Sequence, residues 1–281
     1  MPSYGNGRHE HGQNFLTDHR TIARVVDLVA DTYGPILEIG PGSGALTLPL
    51  CSLGRPITGV EIDERLAAAL RGRSAATIVR ADFLRYRLPS TPHVIVGNLP
   101  FHRTTAILRR LLHSPQWTNS VLITQWEVAR RRAAVGGASM MTAQWWPWFE
   151  FGLRARIPAS AFRPSPGVDG GLLTIDRRAD PLVPDGQRAR YRDLVHAVFT
   201  GTGRGLERIL ARQLSRREVH RWLTDQRIRP AALPRDLDAG QWAALYDAVS
   251  RAGSPRSARP GTGPSTASRR SPAAGTGGSA R

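Results

Sequence analysis

No lysine occurs anywhere in the 281 residues, and cysteine occurs once, at position 51. A single cysteine excludes an intramolecular disulfide and suits a reducing compartment, so Cys51 reads as a small apolar core residue. Long hydrophobic runs are also missing, and no stretch approaches the roughly 18 apolar residues of a membrane helix. The first residues carry Arg8, His9, Glu10 and His11 without an apolar core, which does not read as a secretory signal. A cytoplasmic protein with no membrane partner is therefore expected. Acids are scarce: 22 stand against 39 basic residues, all of them arginine, for a net charge of +17. Such an excess draws polyanions, and without a lipidation motif or an amphipathic anchor the expected partner is nucleic acid.

What is present falls into three parts. Residues 1–178 alternate apolar runs with helical stretches, the pattern of an α/β, Rossmann-like domain with a mainly parallel sheet. Strands are predicted at 35–40, 56–63, 76–83, 93–98 and 120–125, with "WWPWFEFGL" (145–153) and "GGLLTID" (170–176) closing the sheet. Helices fall between them, among them the stretch after Asp18, 103–113 and 127–135. After Arg178 the strands stop, and 179–250 reads as a small all-helical domain whose arginines suit it to a nucleic-acid partner such as RNA. Residues 251–281 hold Gly, Ser, Pro, Ala, Thr and Arg with no acid and no large apolar residue, a composition expected to stay disordered.

The chemistry gathers at strand ends. "EIGPGSG" (38–44) closes the first strand with Gly40, Gly42 and Gly44, which allow close approach of a ligand to the backbone. Glu61 ends the second strand, where a carboxylate accepts both hydroxyls of a ribose, and Asp82 ends the third, within reach of an adenine amino group. No basic residue stands in the glycine loop to meet a pyrophosphate, so the pocket suits S-adenosyl-L-methionine better than NAD. "GNLPF" (97–101) ends the fourth strand. An aromatic amine such as adenine N6 is a poor nucleophile because its lone pair is delocalised. Two acceptors aimed at its hydrogens, the Asn98 side-chain oxygen and the Leu99 carbonyl, favour the tetrahedral geometry that attack requires. Pro100 fixes the backbone there, and Phe101 offers a face on which the base stacks.

These motifs resemble the ribosomal RNA adenine N6-methyltransferases, which include the Erm antibiotic-resistance enzymes and the dimethyladenosine transferases. The resemblance rests on "HGQNFLTD" (11–18), "EIGPGSG", "VEID" (60–63), "ADF" (81–83), "GNLPF" and "AFRPSPGVDGG" (161–171), which occur in the family's order. It implies that Asn14, Leu16, Gly40, Gly42, Glu61, Asp82 and Asn98 hold the cofactor. It also implies that Phe162 sandwiches the target base against Phe101. The stretch 125–152 and the tail look like actinobacterial Erm proteins. That implies N6-methylation, single or double, of one adenosine in 23S rRNA, and resistance to macrolides, lincosamides and streptogramin B. "VDGG" stands where many members have "VDS". Two alternatives are a 16S rRNA dimethyladenosine transferase and a non-catalytic RNA-binding or transcription factor on the same fold. A DNA adenine or protein glutamine methyltransferase is disfavoured by Leu99 in place of a first proline.

Arg130, Arg131 and Arg132, with Arg204, Arg208, Arg212, Arg216 and Arg217, are the candidate phosphate contacts. Trp145, Trp146 and Trp148 read as core rather than as an RNA-stacking surface. His9 and His11 lack a third ligand at useful spacing, so no metal is expected. A monomer acting on 23S rRNA is the working expectation.

Overall fold

The computed structural model describes residues 14–253. His9, His11, the first three residues of "HGQNFLTD" and the tail beyond Gly253 lie outside the described residues.

Strands β2 (Ile36–Ile39), β3 (Ile57–Glu61), β4 (Thr77–Arg80), β5 (His93–Asn98) and β6 (Trp117–Gln125) are parallel, as the alternation with helices requires. Strand β9 (Gly170–Arg177) enters antiparallel between β6 and β7 (Phe149–Ile157), giving the order β4-β3-β2-β5-β6-β9-β7. A separate two-residue ladder joins β1 (Phe15–Leu16) to β8 (Phe162–Arg163).

Both faces of this sheet are covered, which is why β5 reads Val-Ile-Val without polar alternation. Val94 and Val96 pack with Val25 and Val29 of α1 (His19–Ala30), Leu50 of α2 (Thr47–Cys51) and Leu70 of α3 (Glu64–Arg71). Ile95 faces the other way, toward Leu108 and Leu111 of α4 (Thr104–His113) and Ala129 of α5 (Trp126–Arg132). Each such fully buried valine, leucine or isoleucine is worth roughly 1.5–3 kcal/mol. Asp18 starts α1 as its N-cap, its carboxylate accepting from the Thr21 N–H at 2.8 Å. Cys51 is half-buried at the end of α2, beside the same apolar cluster.

The strand expected over 145–153 is corrected at its start. Trp145 ends α6 (Met140–Trp145), and the strand begins only at Phe149. Ser139 caps α6 by accepting from Thr142, and Pro147 and Trp148 then turn the chain into β7. The tryptophans are core, as expected: Trp145 and Trp148 are buried, and Trp146 packs against the same cluster.

Between residues 179 and 253 the regular elements are helical: α7 (Arg188–Phe199), α8 (Leu206–Leu210), α9 (Arg216–Asp225) and α10 (Ala239–Gly253). The apolar core crosses this change of element type without a break, since Tyr191, Val198, Leu206 and Trp242 join Leu108, Trp145 and Leu173 in one cluster. The Tyr191 hydroxyl donates to the Ala143 carbonyl at 2.8 Å, and Arg188 and Arg192 of α7 lie over the rings of Trp148 and Trp145.

Candidate active site

The strand order reverses between β2 and β5, and a crevice opens at their carboxyl ends. A cavity of about 240 Å³ occupies it, and it brings together ten of the residues singled out from the sequence: Asn14, Leu16, Gly40, Gly42, Glu61, Asp82, Asn98, Leu99, Pro100 and Phe101.

The glycine loop is shaped by its contacts. Gly42 has φ +56°, and a Cβ there would stand 3.2 Å from the Phe15 ring, so a side chain would be both strained and crowded. Its N–H donates to Glu61 Oε2 at 2.8 Å, while Glu61 Oε1 accepts from the Asp63 N–H at 2.9 Å. Glu61 is only 1% exposed. Each carboxylate oxygen has a second lone pair, so the residue is fixed by the backbone and still offers two parallel acceptors to a diol.

Asp82 is held less tightly. Oδ1 accepts from the Leu84 N–H at 2.9 Å, and Oδ2 pairs with Arg103 Nη1 at 3.3 Å. Arg103 follows Phe101 by two residues, so this ion pair ties the third strand end to the turn after "GNLPF". Arg103 was missed in the sequence, where nothing marks a lone arginine as a partner of Asp82.

Glu38 was missed as well, although it opens the glycine motif. It lines the cavity at 1% exposure and accepts from the Thr47 hydroxyl at 2.6 Å. Burial pushes its carboxyl up to about 7; the Thr47 bond opposes that rise and the neighbouring Glu61 adds to it. An acid at a strand end, as at Glu61 and Asp82, was the available signal.

On the other side of the crevice, Gly97 lets β5 pass close to β2: a Cβ there would be 2.8 Å from the Ile39 carbonyl oxygen. Asn98 donates through Nδ2 to the Asn14 carbonyl at 2.7 Å, which fixes the plane of its amide. Its side-chain oxygen accepts no hydrogen bond from the described residues. Leu99 donates its N–H to the Ile123 carbonyl at 2.9 Å, and its own carbonyl likewise accepts none among them. Two adjacent acceptors are thus left open beside Phe101.

Phe162 stands apart from the other singled-out residues. It is 0% exposed, lies in the apolar cluster with Val96 and Leu172, and does not line the cavity. Its ring meets Phe101 edge-on, with centroids 6.3 Å apart and planes at 74°, so the two rings do not form a parallel sandwich. The cause is the β1–β8 ladder, which sets Leu16 opposite Phe162 and draws the ring inward against Gly170.

The arginines divide. Arg131, Arg204, Arg208, Arg212, Arg216 and Arg217 are exposed and outside the cavity. Arg130 pairs with Glu127 at 3.2 Å and also donates to the Val135 carbonyl. Arg132 is engaged within the protein: it donates to Ser139 Oγ at 2.6 Å, and burial, with Arg131 and Arg109 near, holds its guanidinium below the usual range. Among the described residues no group of His, Cys, Asp and Glu could hold a metal ion, and no helix is long and apolar enough to cross a membrane.

A seven-stranded sheet of this order, with a glycine loop and acids at successive strand ends beside an Asn-Leu-Pro-Phe turn, defines a Rossmann-like methyltransferase. The family described as ribosomal RNA adenine dimethylase matches residues 5–251, and the chain belongs to it. It is 61% identical over 216 residues to an rRNA adenine N-6-methyltransferase of Corynebacterium diphtheriae, covering 76% of this chain and 85% of the relative. It is 48% identical over 248 residues to the mycinamicin-resistance protein MyrB of Micromonospora griseorubida, covering 87% and 79%. The crystal structure of the 23S rRNA methyltransferase ErmE is similar with a TM-score of 0.78 at 35% identity, over 84% of this chain and all of that one.

Proposed function

We propose that the protein methylates N6 of one adenosine in 23S rRNA, using S-adenosyl-L-methionine, and thereby protects the ribosome against macrolides, lincosamides and streptogramin B. The observation that carries this reading is the pair of open acceptors, Asn98 Oδ1 and the Leu99 carbonyl, beside Phe101 in a cavity that also holds Glu61. The choice of 23S over 16S rRNA is supported by the likeness to ErmE and to a mycinamicin-resistance protein.

The residues fit the methyl donor. Glu61 offers two oriented acceptors for a ribose, Asp82 keeps lone pairs for an adenine amino group, and Ile62, Phe83 and Leu84 supply apolar wall. The donor supplies an activated methyl group on a sulfonium. The protein supplies geometry: Asn98 and Leu99 accept from the two N6 hydrogens and localise the nitrogen lone pair, while Phe101 stacks the extruded base. With the donor bound, the new N–C bond would replace the donor's C–S bond at the nitrogen held by Asn98 and Leu99, and the proton shed from that nitrogen would go to water. No strong base is needed, because that nitrogen, once methylated, is very acidic.

Exposed Arg204 and Arg208, at the start of α8, and the rest of 179–250 are assigned to gripping the RNA. The protein works in the cytoplasm as a monomer.

The test is incubation with methyl-labelled donor and protein-free 23S or 16S rRNA, followed by primer extension. Label at one adenosine of 23S rRNA is expected. Label confined to 16S rRNA would transfer the protein to ribosome biogenesis, and no incorporation into either would leave a binding protein.

A further inference from the structure

Strand β7 contains one residue too many. Leu153 pairs with Leu173 and Ala155 with Leu172, so Arg154 is a bulge. An extra residue exchanges the faces of everything after it. Leu153 packs on the side of the helical region, Ala155 on the opposite side, and Arg156 therefore returns to the first. Its partner there is Gly171, where a Cβ would stand 2.5 Å from Ala129 of α5.

This places Arg156 over Trp126, the first residue of α5, with its guanidinium carbon 5.2 Å from the ring centroid. Arg156 Nε donates to Asp169 Oδ2 at 2.7 Å. Asp169 is anchored in turn: Oδ1 accepts from the Ala159 N–H at 2.9 Å, and its main-chain carbonyl accepts from the Trp126 N–H at 2.9 Å. The Ala159 bond, followed by the Arg156 contact, holds the Asp169 carboxyl below the usual range, so it stays charged at neutral pH.

An arginine whose side chain is 62% exposed is thus held on two sides. Its terminal nitrogens meet no acceptor among the described residues. Neighbouring arginines are engaged differently, since Arg130 donates to Glu127 and the Val135 carbonyl, and Arg163 Nη1 donates to the Ser160 and Phe162 carbonyls. Arg156 lies at the same end of the strands as Asn98: the register runs Asn98–Ile123–Leu172–Ala155, three strand spacings, or roughly 14 Å.

The geometry points to Arg156 as a preorganised phosphate clamp for the RNA strand that delivers the target adenine, with Trp126 and Asp169 as the residues that position it. The inference rests on the RNA-methylating function proposed above. A free guanidinium fork suits the two oxygens of a phosphodiester, and an arginine already fixed in place loses less entropy on binding. The occupant is a backbone phosphate near the flipped nucleotide, and the contact carries no base specificity.

The experiment compares the wild type with Arg156→Gln and Arg156→Lys on an RNA hairpin containing the target, measuring RNA affinity as a function of salt, cofactor affinity by calorimetry, and turnover. Arg156→Gln is expected to weaken RNA binding about tenfold and to lower the slope of log K against log salt by about 0.7–0.9. Cofactor affinity should stay within about twofold, and the loss of turnover should fall more on KM for the RNA than on kcat. Arg156→Lys, which keeps the charge and loses the fork, should restore the slope but not the whole affinity. A methylphosphonate at the contacted position should cost the wild type about the same and the Gln variant nothing further. Unchanged RNA affinity and salt slope in a Gln variant whose Tm and cofactor binding match the wild type would overturn the clamp alone. A wild type that neither binds nor methylates the hairpin would overturn the function as well.

Discussion

The side of the cavity proposed to hold the methyl donor and the side proposed to hold the target base are built from opposite materials. Glu38 and Glu61 are buried carboxylates whose oxygens are fixed by a hydroxyl or by backbone N–H groups, and Asp82 stands half-exposed beside them. Across the crevice the side-chain oxygen of Asn98 and the carbonyl of Leu99 have no donor among the described residues, and the one arginine that lines the cavity, Arg103, is half-exposed and paired with Asp82. The first side is complete before its ligand arrives, as suits a small molecule recognised at every atom. The second leaves its acceptors open, as suits a target whose affinity comes mainly from charge elsewhere on the surface and whose position comes from a few oriented groups.

Breaking the target side at its centre should give the largest effect. Asn98→Ala is expected to lower kcat on the order of a hundred- to a thousandfold while cofactor affinity changes far less, as single-turnover assays and calorimetry would read separately. Near-normal turnover would remove Asn98 from the chemistry. Breaking the cofactor side at Glu61 should reverse the pattern. Glu61→Gln sets an amide NH2 against the N–H of Gly42 or Asp63, and a cofactor affinity lower by about tenfold or more is expected. Phe101→Ala should reduce kcat/KM for RNA by roughly tenfold with the cofactor Kd unchanged.

Glu38 sharpens the contrast through pH. Its carboxyl is raised from 4.5 to about 7, so the folded protein binds more protons than the unfolded chain between those values. The stability it contributes is full below about 4.5 and is lost as pH rises through about 7. Tm of the cofactor-free protein should therefore carry a component that falls across that window, and Glu38→Gln should flatten it. The smallest effect belongs to Arg103→Ala. Its ion pair with Asp82 is partly exposed, and a change in cofactor affinity of no more than about threefold is expected.

Local chemistry made much of this site legible. The glycine spacing, Glu61, Asp82 and the Asn-Leu-Pro-Phe turn all stand at strand ends, and parallel strands announce themselves as buried runs between helices. The features that escaped depend on partners far away in the chain. Phe162 reads as a free loop aromatic until Leu16 pairs with it, and Trp145 reads as strand until Ser139 and Pro147 frame a short helix. The extra residue at Arg154 leaves no trace in composition, because a bulge is visible only against the strand it pairs with. Glu38 is a different case, since its position in the glycine motif was legible and its burial was not.

The β1–β8 ladder also sets a timetable. Thr17 donates its hydroxyl and its N–H to the carbonyl of Ala161, across 144 residues of chain. While the polypeptide is being made, the glycine loop, Glu61 and Asp82 emerge early and lie in a sheet of neighbouring parallel strands. Leu16, which closes one wall of the cavity, has no partner until Phe162 has left the ribosome. This wall of the pocket thus depends on a segment whose Ala161 lies 144 residues beyond Thr17, far downstream of the strand ends that carry Glu61 and Asp82.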